Sequence, residues 1–365
     1  MSKKNVNISE ALNAYFKKMP CICETYGNGH INDTFVVGFS DKRYILQRID
    51  TDIFRDYDGL MKNILGVTEH IRKKTAEAQG DVERCSLTVF PTLTGDKYFK
   101  DSEGNVWRAY PFVENTVALD KARNADDLYC GAKAFGKFQR QLADYPADDL
   151  TETIVNFHNT PWRYENLIKA VKEDPCGRLQ GVLDEVAFVK AREEFCKTLE
   201  KAKKANKLPL RVTHNDTKLN NVLFDKISGE AICVIDLDTV MPGYSVNDFG
   251  DAIRFAANTA AEDETDLSKV KLDLELFEAF AKGFIEGCGG ALTDTELKML
   301  PVGAIMMTLE CGMRFLTDHL EGDKYFKIHR EGHNLDRARN QFALVADMEK
   351  KLDRMQEIIT SETKQ

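Results

Sequence analysis

The chain has 365 residues, of which 43% are hydrophobic and 30% are charged, with 9 prolines and 23 glycines. This length predicts roughly two domains with a sizeable core, and the composition excludes collagen, mucin-like stalks and wholesale disorder. The 50 Lys and Arg residues against 59 Asp and Glu residues leave a formal charge of −9. This acidic balance disfavours nucleic acid as a partner, because phosphate backbones are held by clustered basic surfaces.

Residues 1–20 mix lysines with polar residues and lack the apolar run of about 7 residues that a secretory signal requires. The longest weakly polar stretch, the 11 residues between Lys298 and Glu310, is shorter than the roughly 20 residues of a membrane span and predicts a buried helix. The nine cysteines are scattered and include no C-x-x-C pair, which is typical of reduced thiols. We therefore expect a cytoplasmic protein that binds no membrane, and the sequence leaves its oligomeric state open.

The first 114 residues are rich in strand-like runs separated by turn signals. The predicted strands cover residues 21–26, 34–39, 44–49, 86–90, 97–100 and 106–113. Their succession along the chain predicts an antiparallel meander. Between the third and fourth strands, apolar residues recur at helical spacing, which predicts one amphipathic helix that packs on the sheet through Leu60, Ile64, Val67 and Ile71.

Helical patterns dominate after residue 114. An apolar stripe from Leu128 to Leu142 predicts one helix, and Thr160-Pro161 marks the start of another. Further helices are predicted at 183–204, 246–260, 268–287, 293–320 and 335–360, around a small β island at 210–213, 222–224 and 231–235. The predicted fold is α+β and bilobal: a small antiparallel β lobe over 1–114 precedes a larger, mainly helical lobe over 115–365 with a β-hairpin insertion. A cleft is expected where the lobes join, near Glu114.

The β island carries the motif most indicative of chemistry, His214-Asn215-Asp216-Thr217-Lys218-Leu219-Asn220-Asn221. Asp216 follows one strand, Asn221 begins the next, and Asp236 ends the hairpin partner of that strand, so we expect their polar groups to converge. Oxygen ligands of this kind suit Mg²⁺, and a separate Asp can accept the proton of an attacking hydroxyl. Kinase catalytic loops use this pattern for phosphoryl transfer. Asp216 is therefore the predicted catalytic base, with Asn221 and Asp236 as magnesium ligands; the alternative is an Asx-turn and a cap.

Neighbours of this motif are predicted to have structural roles. His214 is expected to hold the loop through a hydrogen bond to backbone. The triplet Asp248-Phe249-Gly250 spells the metal-binding motif of protein kinases, but it begins a helix well beyond the hairpin. Asp248 and Asp251 are therefore predicted to brace the catalytic loop from the start of that helix.

Two segments of the β lobe are candidates for nucleotide binding. Gly27-Asn28-Gly29 lies between two predicted strands, where glycines let backbone amides approach phosphates, as in the glycine-rich lid over ATP. An ordinary hairpin turn is the alternative. The run that begins at Trp107 leads from the last strand into the second lobe, and its end, Phe112-Val113-Glu114, is predicted to hydrogen-bond an adenine edge through extended backbone.

These motifs resemble those of the aminoglycoside phosphotransferase and choline kinase superfamily, whose fold is protein-kinase-like. The resemblance is closest to the N-acetylhexosamine 1-kinase branch, and it is carried by Tyr-Gly-Asn-Gly-His-Ile-Asn at 26–32, Tyr-Ile-Leu-Gln at 44–47, Arg-Val-Thr-His-Asn-Asp-Thr-Lys-Leu-Asn-Asn at 211–221, Ile-Asp-Leu-Asp-Thr at 235–239 and Glu-Cys-Gly-Met-Arg-Phe-Leu at 310–316. It implies ATP- and Mg²⁺-dependent phosphorylation of the anomeric 1-hydroxyl of N-acetylglucosamine or N-acetylgalactosamine, giving the α-1-phosphate. It also implies a nucleotide-binding first lobe and a sugar site in contact with His30, Asp216, Thr239, Arg314 and Tyr325.

One position departs from the kinase pattern. Gln47 stands on the third strand, where kinase-like folds usually carry a lysine, and the neighbouring Arg48 is expected on the opposite face of the sheet. The resemblance to the sugar 1-kinase branch includes this glutamine. Gln47 is therefore grouped with the predicted ATP-binding residues, and phosphate positioning is assigned to Mg²⁺ and backbone.

Two other functions stay open. One is a kinase of the same fold that acts on choline, homoserine, an aminoglycoside or a pentose; a cationic acceptor needs an acidic pocket, which Arg314 disfavours. The other is a nucleotide-binding pseudokinase, which the joint presence of Asp216, Asn221 and Asp236 disfavours. The sequence does not rank N-acetylglucosamine against N-acetylgalactosamine as the small-molecule partner.

Overall fold

The computed structural model describes residues 7–27 and 31–364. The small lobe is an antiparallel sheet in the spatial order β1-β2-β3-β5-β4, made of β1 (Ile22–Thr25), β2 (Asp33–Gly38), β3 (Arg43–Ile49), β4 (Phe99–Lys100) and β5 (Val106–Pro111). The predicted meander is confirmed for β1 to β3, whereas β5 inserts between β3 and β4. The strand predicted at 86–90 is wrong: the Asp81 carboxylate caps a short helix, α3 (Val82–Cys85), and in the following segment Phe90 bridges to Ala109.

Two helices cover the faces of this sheet, α1 (Ser9–Tyr15) and α2 (Tyr57–Glu77). Because side chains alternate along a strand, Leu46, Trp107 and Ala109 pack with α1, whereas Ile49, Val106 and Tyr110 pack with α2. The predicted amphipathic helix is thus confirmed as α2. Helix α1 has no counterpart among the predicted elements, since seven residues are too few to show a helical period.

The larger lobe is built mainly of helices. Its longer helices are α4 (Ala125–Gln141), α5 (Thr160–Glu173), α9 (Ser245–Ala256), α10 (Leu274–Cys288), α11 (Asp294–Glu321) and α12 (His333–Glu362). The helix predicted at 183–204 is divided into α6 (Leu183–Lys190), α7 (Glu193–Cys196) and α8 (Thr198–Lys204). Helix α11 is long and apolar enough to cross a membrane by length and composition alone, and 83% of its most apolar window is buried inside the fold. All nine cysteines are free.

Short strands between these helices carry the predicted catalytic insertion. Strand β7 (Arg211–Thr213) pairs with β10 (Met241–Gly243), and β8 (Val222–Asp225) pairs with β9 (Ala231–Val234). Strand β6 (Thr116–Ala118) pairs with the other edge of β8, so the chain that leaves the small lobe is bonded to the hairpin. The predicted α+β, bilobal, kinase-like architecture is confirmed, and the exact boundary between residues 114 and 115 stays a prediction.

Helices α9 and α11 approach each other closely at two glycines. A Cβ atom added to Gly250 would lie 2.3 Å from the Gly303 carbonyl oxygen, and one added to Gly303 would lie 2.2 Å from the Val246 carbonyl oxygen. The two backbones are therefore in direct contact, which only glycine permits here. Since α9 packs behind the predicted catalytic loop, this contact sets how far the loop stands from the core.

Candidate active site

The catalytic loop, residues 214–221, connects β7 to β8. His214 is fully buried, and its Nε2 atom lies 2.9 Å from the Ile235 carbonyl oxygen. Its Nδ1 atom lies 3.3 Å from the Asp216 backbone nitrogen. One imidazole ring therefore holds the loop to the end of the hairpin, and the predicted structural role of His214 is confirmed.

Asp216 lies at the turn of this loop with 27% of its side chain exposed. Its Oδ1 atom is 2.7 Å from Nζ of Lys218. Asn221 donates from Nδ2 to the Asp216 carbonyl oxygen at 2.8 Å and to Oδ2 at 3.1 Å, so the predicted pair is in contact. Although burial opposes it, the negative charge of Asp216 and Asp251 raises the pKa of Lys218, and the lysine stays cationic beside Asp216.

Asp236 completes the group from the end of the hairpin. The Ile235 N–H donates to the Asn221 carbonyl oxygen at 2.9 Å, which places Asp236 next to Asn221. Asp236 has an exposed surface, although protein atoms surround much of its carboxylate. Burial and the negative charges of Asp238 and Asp216 raise the pKa of Asp236 to about 6. Three neighbouring carboxylates thus repel one another in a way that a bound cation would relieve.

The donor atoms at Asn221 and Asp236 fit Mg²⁺, which takes oxygen ligands and keeps several positions for water and phosphate oxygens. Asn221 uses Nδ2 to bind Asp216, which leaves its Oδ1 atom for a cation. Within residues 7–27 and 31–364, no group of three or more His, Cys, Asp or Glu is arranged to hold a metal ion by itself. A cation bound at this point would therefore share its coordination with nucleotide oxygens.

Two carboxylates of α9 hold the catalytic loop from behind. Buried Asp248 accepts hydrogen bonds from the N–H groups of His214 at 2.9 Å and Asn215 at 2.8 Å. Asp251 accepts from the Thr217 N–H at 3.1 Å. The bracing role predicted for these two residues is confirmed. Because Asp248 is committed to loop amides, the geometry favours Asp236 as the metal ligand.

The predicted glycine-rich turn is described only in part. Gly27 has a φ of 76°, a left-handed conformation that favours glycine. The Tyr26 N–H donates to the Thr34 carbonyl oxygen at 2.9 Å, which closes the base of the turn. Asn28, Gly29 and His30, for which phosphate and sugar contacts are predicted, lie outside the described residues.

The linker Phe112-Val113-Glu114 lies between β5 and β6. The Phe112 ring packs edge-on against Tyr26, with ring centroids 5.6 Å apart. The guanidinium carbon of Arg43 lies 3.9 Å from the centroid of the Phe112 ring. The Phe112 N–H donates to the Arg43 carbonyl oxygen, and a hydrogen bond from Arg43 lowers the pKa of Glu114. These groups already have protein partners, so adenine binding by this linker stays a prediction that depends on its other backbone atoms.

Gln47 belongs to a buried polar chain that crosses the sheet. It donates to the Thr34 hydroxyl at 3.0 Å, and its Oε1 atom accepts from Nε and Nη2 of Arg108, each at 3.0 Å. Nη1 of Arg108 lies 2.5 Å from Oδ1 of Asp238 in the turn after β9. Arg108 and Asp238 are missing from the predicted site. The available signal was an arginine inside an otherwise apolar strand.

Arg314 lies on α11 within a group of aromatic residues. Its guanidinium carbon is 5.4 Å from the Phe157 ring, 5.8 Å from the Tyr325 ring and 5.4 Å from the Phe326 ring. Asp318 accepts the N–H groups of Tyr325 at 2.8 Å and Phe326 at 2.9 Å. This carboxylate fixes the loop that carries both rings, and the structure brings Arg314 and Tyr325 together as the resemblance implies.

A second arginine, Arg163 of α5, shares this place and is also missing from the predicted site. It donates from Nη2 to the Phe157 carbonyl oxygen at 3.0 Å, and its buried Nε atom has no hydrogen-bond partner within residues 7–27 and 31–364. Burial and the charge of Arg314 lower the pKa of Arg163 to about 10. Neither arginine forms an ion pair with a described residue. We call Arg163, Arg314 and the rings of residues 157, 325 and 326 the acceptor pocket.

His158 connects the acceptor pocket to the catalytic loop. Its Nδ1 atom lies 2.8 Å from the Glu310 carboxylate, one turn before Arg314 on α11. Its Nε2 atom lies 3.4 Å from the carbonyl oxygen of Asn215, the residue before Asp216. His158 thus links the helix that carries Arg314 to the residue before Asp216, and the Glu310 carboxylate is already occupied by His158.

Thr239, for which a sugar contact is predicted, lies in the turn that follows Asp236. Its side chain is buried, and its hydroxyl donates to the His214 carbonyl oxygen at 2.7 Å. Its own carbonyl oxygen accepts from Nδ2 of Asn215 at 2.8 Å. Thr239 therefore supports the catalytic loop, and its direct contact with a sugar stays a prediction.

Known proteins share both the sequence pattern and the fold. The sequence model of a family described as the phosphotransferase enzyme family (APH) matches residues 22–280. An aminoglycoside phosphotransferase from Alicyclobacillus acidocaldarius subsp. acidocaldarius DSM 446 superposes with a TM-score of 0.67 at 13% identity, covering 99% of this chain and 98% of that chain. The microcompartment-associated aminopropanol kinase superposes with a TM-score of 0.63 at 14% identity, covering 95% of this chain and 97% of that chain. Spectinomycin phosphotransferase in complex with ADP and spectinomycin superposes with a TM-score of 0.58 at 15% identity, covering 93% of this chain and 97% of that chain.

Proposed function

The chain belongs to the phosphotransferase enzyme family, and from this premise we propose that it is an N-acetylhexosamine 1-kinase. It transfers the γ-phosphoryl group of ATP to the anomeric 1-hydroxyl of N-acetylglucosamine or N-acetylgalactosamine and uses Mg²⁺ as its cofactor. ADP bound to a solved protein of the same fold supports a nucleotide donor. The sugar is proposed from the sequence resemblance together with the acceptor pocket.

The observation that carries this proposal is the acceptor pocket, which His158 links to the catalytic loop. Its two guanidinium groups offer hydrogen-bond donors and no acceptors, and its rings provide apolar walls. Such a pocket suits an uncharged acceptor rich in hydroxyl and carbonyl oxygens. A quaternary ammonium such as choline would meet two positive charges against the single carboxylate of Glu310, and at about 4 Å in a partly screened site each like-charge contact would cost on the order of 4 kcal/mol.

The described residues support a direct transfer. Asp216 accepts the proton of the 1-hydroxyl as the sugar oxygen bonds to the γ-phosphorus, and the bond to the bridging oxygen breaks to release ADP. Nζ of Lys218 lies 2.7 Å from Oδ1 of Asp216 and orients that carboxylate through an ion pair. Asn221 and Asp236 would hold Mg²⁺, which when bound supplies neutralisation of the phosphate charge. Most of the rate enhancement then comes from orientation and electrostatic stabilisation.

A panel assay tests the substrate. Release of ADP is measured with Mg²⁺ and ATP and with N-acetylglucosamine, N-acetylgalactosamine, choline, homoserine, an aminoglycoside or a pentose. We expect the two N-acetylhexosamines to stimulate ADP release and to yield an acid-labile 1-phosphate. Stimulation by choline or the aminoglycoside with no response to either sugar would refute the proposed specificity.

A single substitution tests the proposed base. Asp216→Asn keeps the size of the side chain but removes the proton acceptor, so we expect kcat to fall by about 100- to 10,000-fold. The matched control is Asp81→Asn, in the exposed cap of α3, which should keep kcat. An Asp216→Asn variant with near-normal ADP release would contradict the assignment.

A further inference from the structure

A buried arginine lies opposite the glutamine that replaces the usual kinase lysine. Arg108 on β5 is in register with Gln47 on β3, and it donates twice to the Oε1 atom of Gln47 at 3.0 Å. Only 1% of Arg108 is exposed. Because arginine stays protonated in proteins, a fixed positive charge lies directly behind Gln47.

This charge is bound across the cleft to the larger lobe. Nη1 of Arg108 and Oδ1 of Asp238 are 2.5 Å apart, and both atoms are buried with no other hydrogen-bond partner among the described residues. Asn32, in the turn before β2, donates to Oδ2 of the same carboxylate at 2.5 Å. Two residues of the small lobe therefore hold one carboxylate of the larger lobe.

Asp238 is two residues after Asp236, and one tight turn joins them. The turn is a single 3-10 helix over Leu237–Thr239, entered through the left-handed backbone of Asp236. Leu237 is buried in the same apolar cluster as Val106 of β5. The position of the Asp236 carboxylate thus depends on where the small lobe anchors Asp238.

We propose that Arg108 is a positioning residue for Asp236. By binding Asp238 it joins the two lobes and supplies, from β5, the cation that kinase-like folds usually carry on β3. The proposal rests on the proposed function only in that Mg²⁺ and nucleotide bind at Asp236. Loss of the Arg108 charge leaves Asp238 buried and unpaired. Removing a group that orients a metal ligand typically weakens metal binding by about 10- to 100-fold.

The test measures ADP binding to the full chain by calorimetry over a range of Mg²⁺ concentrations. Arg108→Gln is expected to raise the half-saturating Mg²⁺ concentration by about 10- to 100-fold. Arg108→Lys keeps the charge but not the planar donor pattern, so it should raise the half-saturating Mg²⁺ concentration less than Arg108→Gln does. The matched control is Arg48→Gln, which breaks a partly exposed pair with Asp33 inside the same sheet and should change binding by less than about twofold.

A charge-transposed variant covers the case in which Arg108→Gln does not fold. Arg108→Gln combined with Gln47→Lys moves the cation to the neighbouring strand, and we expect it to restore Mg²⁺-dependent ADP binding. The proposal is overturned if the folded double variant still binds weakly, or if Arg108→Gln lowers only the Tm. ADP binding needs no acceptor, so the failure of every N-acetylhexosamine as a substrate would leave this test intact.

Discussion

Gly250→Ala should damage catalysis from a position that touches no substrate. The added methyl would lie 2.3 Å from the Gly303 carbonyl oxygen, whereas ordinary contacts begin at 3.4 Å, so α9 and α11 must separate by about 1 Å locally. Overpacking of this kind costs about 1 to 3 kcal/mol, and alanine recovers about 1 kcal/mol of helix propensity. Because α9 carries Asp248 and Asp251, the separation moves the catalytic loop, and a shift of about 1 Å can lower kcat on the order of 100-fold.

The matched control is Gly283→Ala on α10. Its methyl would lie 2.2 Å from the Tyr129 carbonyl oxygen on α4, so the overpacking and the gain in helix propensity are alike, but neither α4 nor α10 carries the carboxylates that bind the loop amides. Tm by differential scanning fluorimetry and kcat from ADP release are measured for both variants. We expect similar losses of Tm and a loss of kcat in Gly250→Ala alone. Equal kcat values at equal Tm would refute the proposed coupling between the helix contact and the loop.

Three further outcomes follow from the charges of the site. The rise in Tm on adding Mg²⁺ should be larger at pH 8 than at pH 5.5, because Asp236, with a pKa raised to about 6, must lose its proton to bind the ion; an equal rise at both pH values would contradict this. Although burial opposes it, the His158 hydrogen bond lowers the pKa of Glu310 below 4.5, so the Tm difference between wild type and Glu310→Gln should be full at pH 7 and shrink below pH 4.5. Arg163→Gln should raise the KM for the sugar by about 10- to 100-fold and leave the KM for ATP unchanged; the reverse pattern would remove Arg163 from the acceptor pocket.

The catalytic loop is predictable from sequence because its contacts are local. Asp216 and Asn221 are five residues apart, and the strands around them fix their common direction. The bracing by Asp248 is also predictable, since carboxylates at a helix start bind nearby amides. These features follow from short-range patterns that one sequence contains.

The parts that the sequence does not predict depend on contacts between distant segments. Arg108 and Asp238 are 130 residues apart in the sequence but form an ion pair. Arg163 and Arg314 meet only because α5 packs on α11. The Thr239 hydroxyl donates a hydrogen bond to the His214 carbonyl oxygen. The insertion of β5 between β3 and β4 is equally invisible, because strand order depends on pairing and not on succession. Residue type indicates what each group can do, while only the fold indicates which partner has already engaged it.

Strand β6 fixes the segment that connects the two lobes to the hairpin of the larger lobe. The segment is no free hinge, because Thr116 pairs with Asp225 and Ala118 pairs with Leu223, while Arg84 of the small lobe reaches the same Asp225 at 2.6 Å. Asn221 lies immediately before β8, the strand with which β6 pairs. Any movement of the small lobe would therefore be transmitted through β8 to Asn221, a proposed metal ligand, so opening of the cleft would change the geometry of the proposed magnesium site.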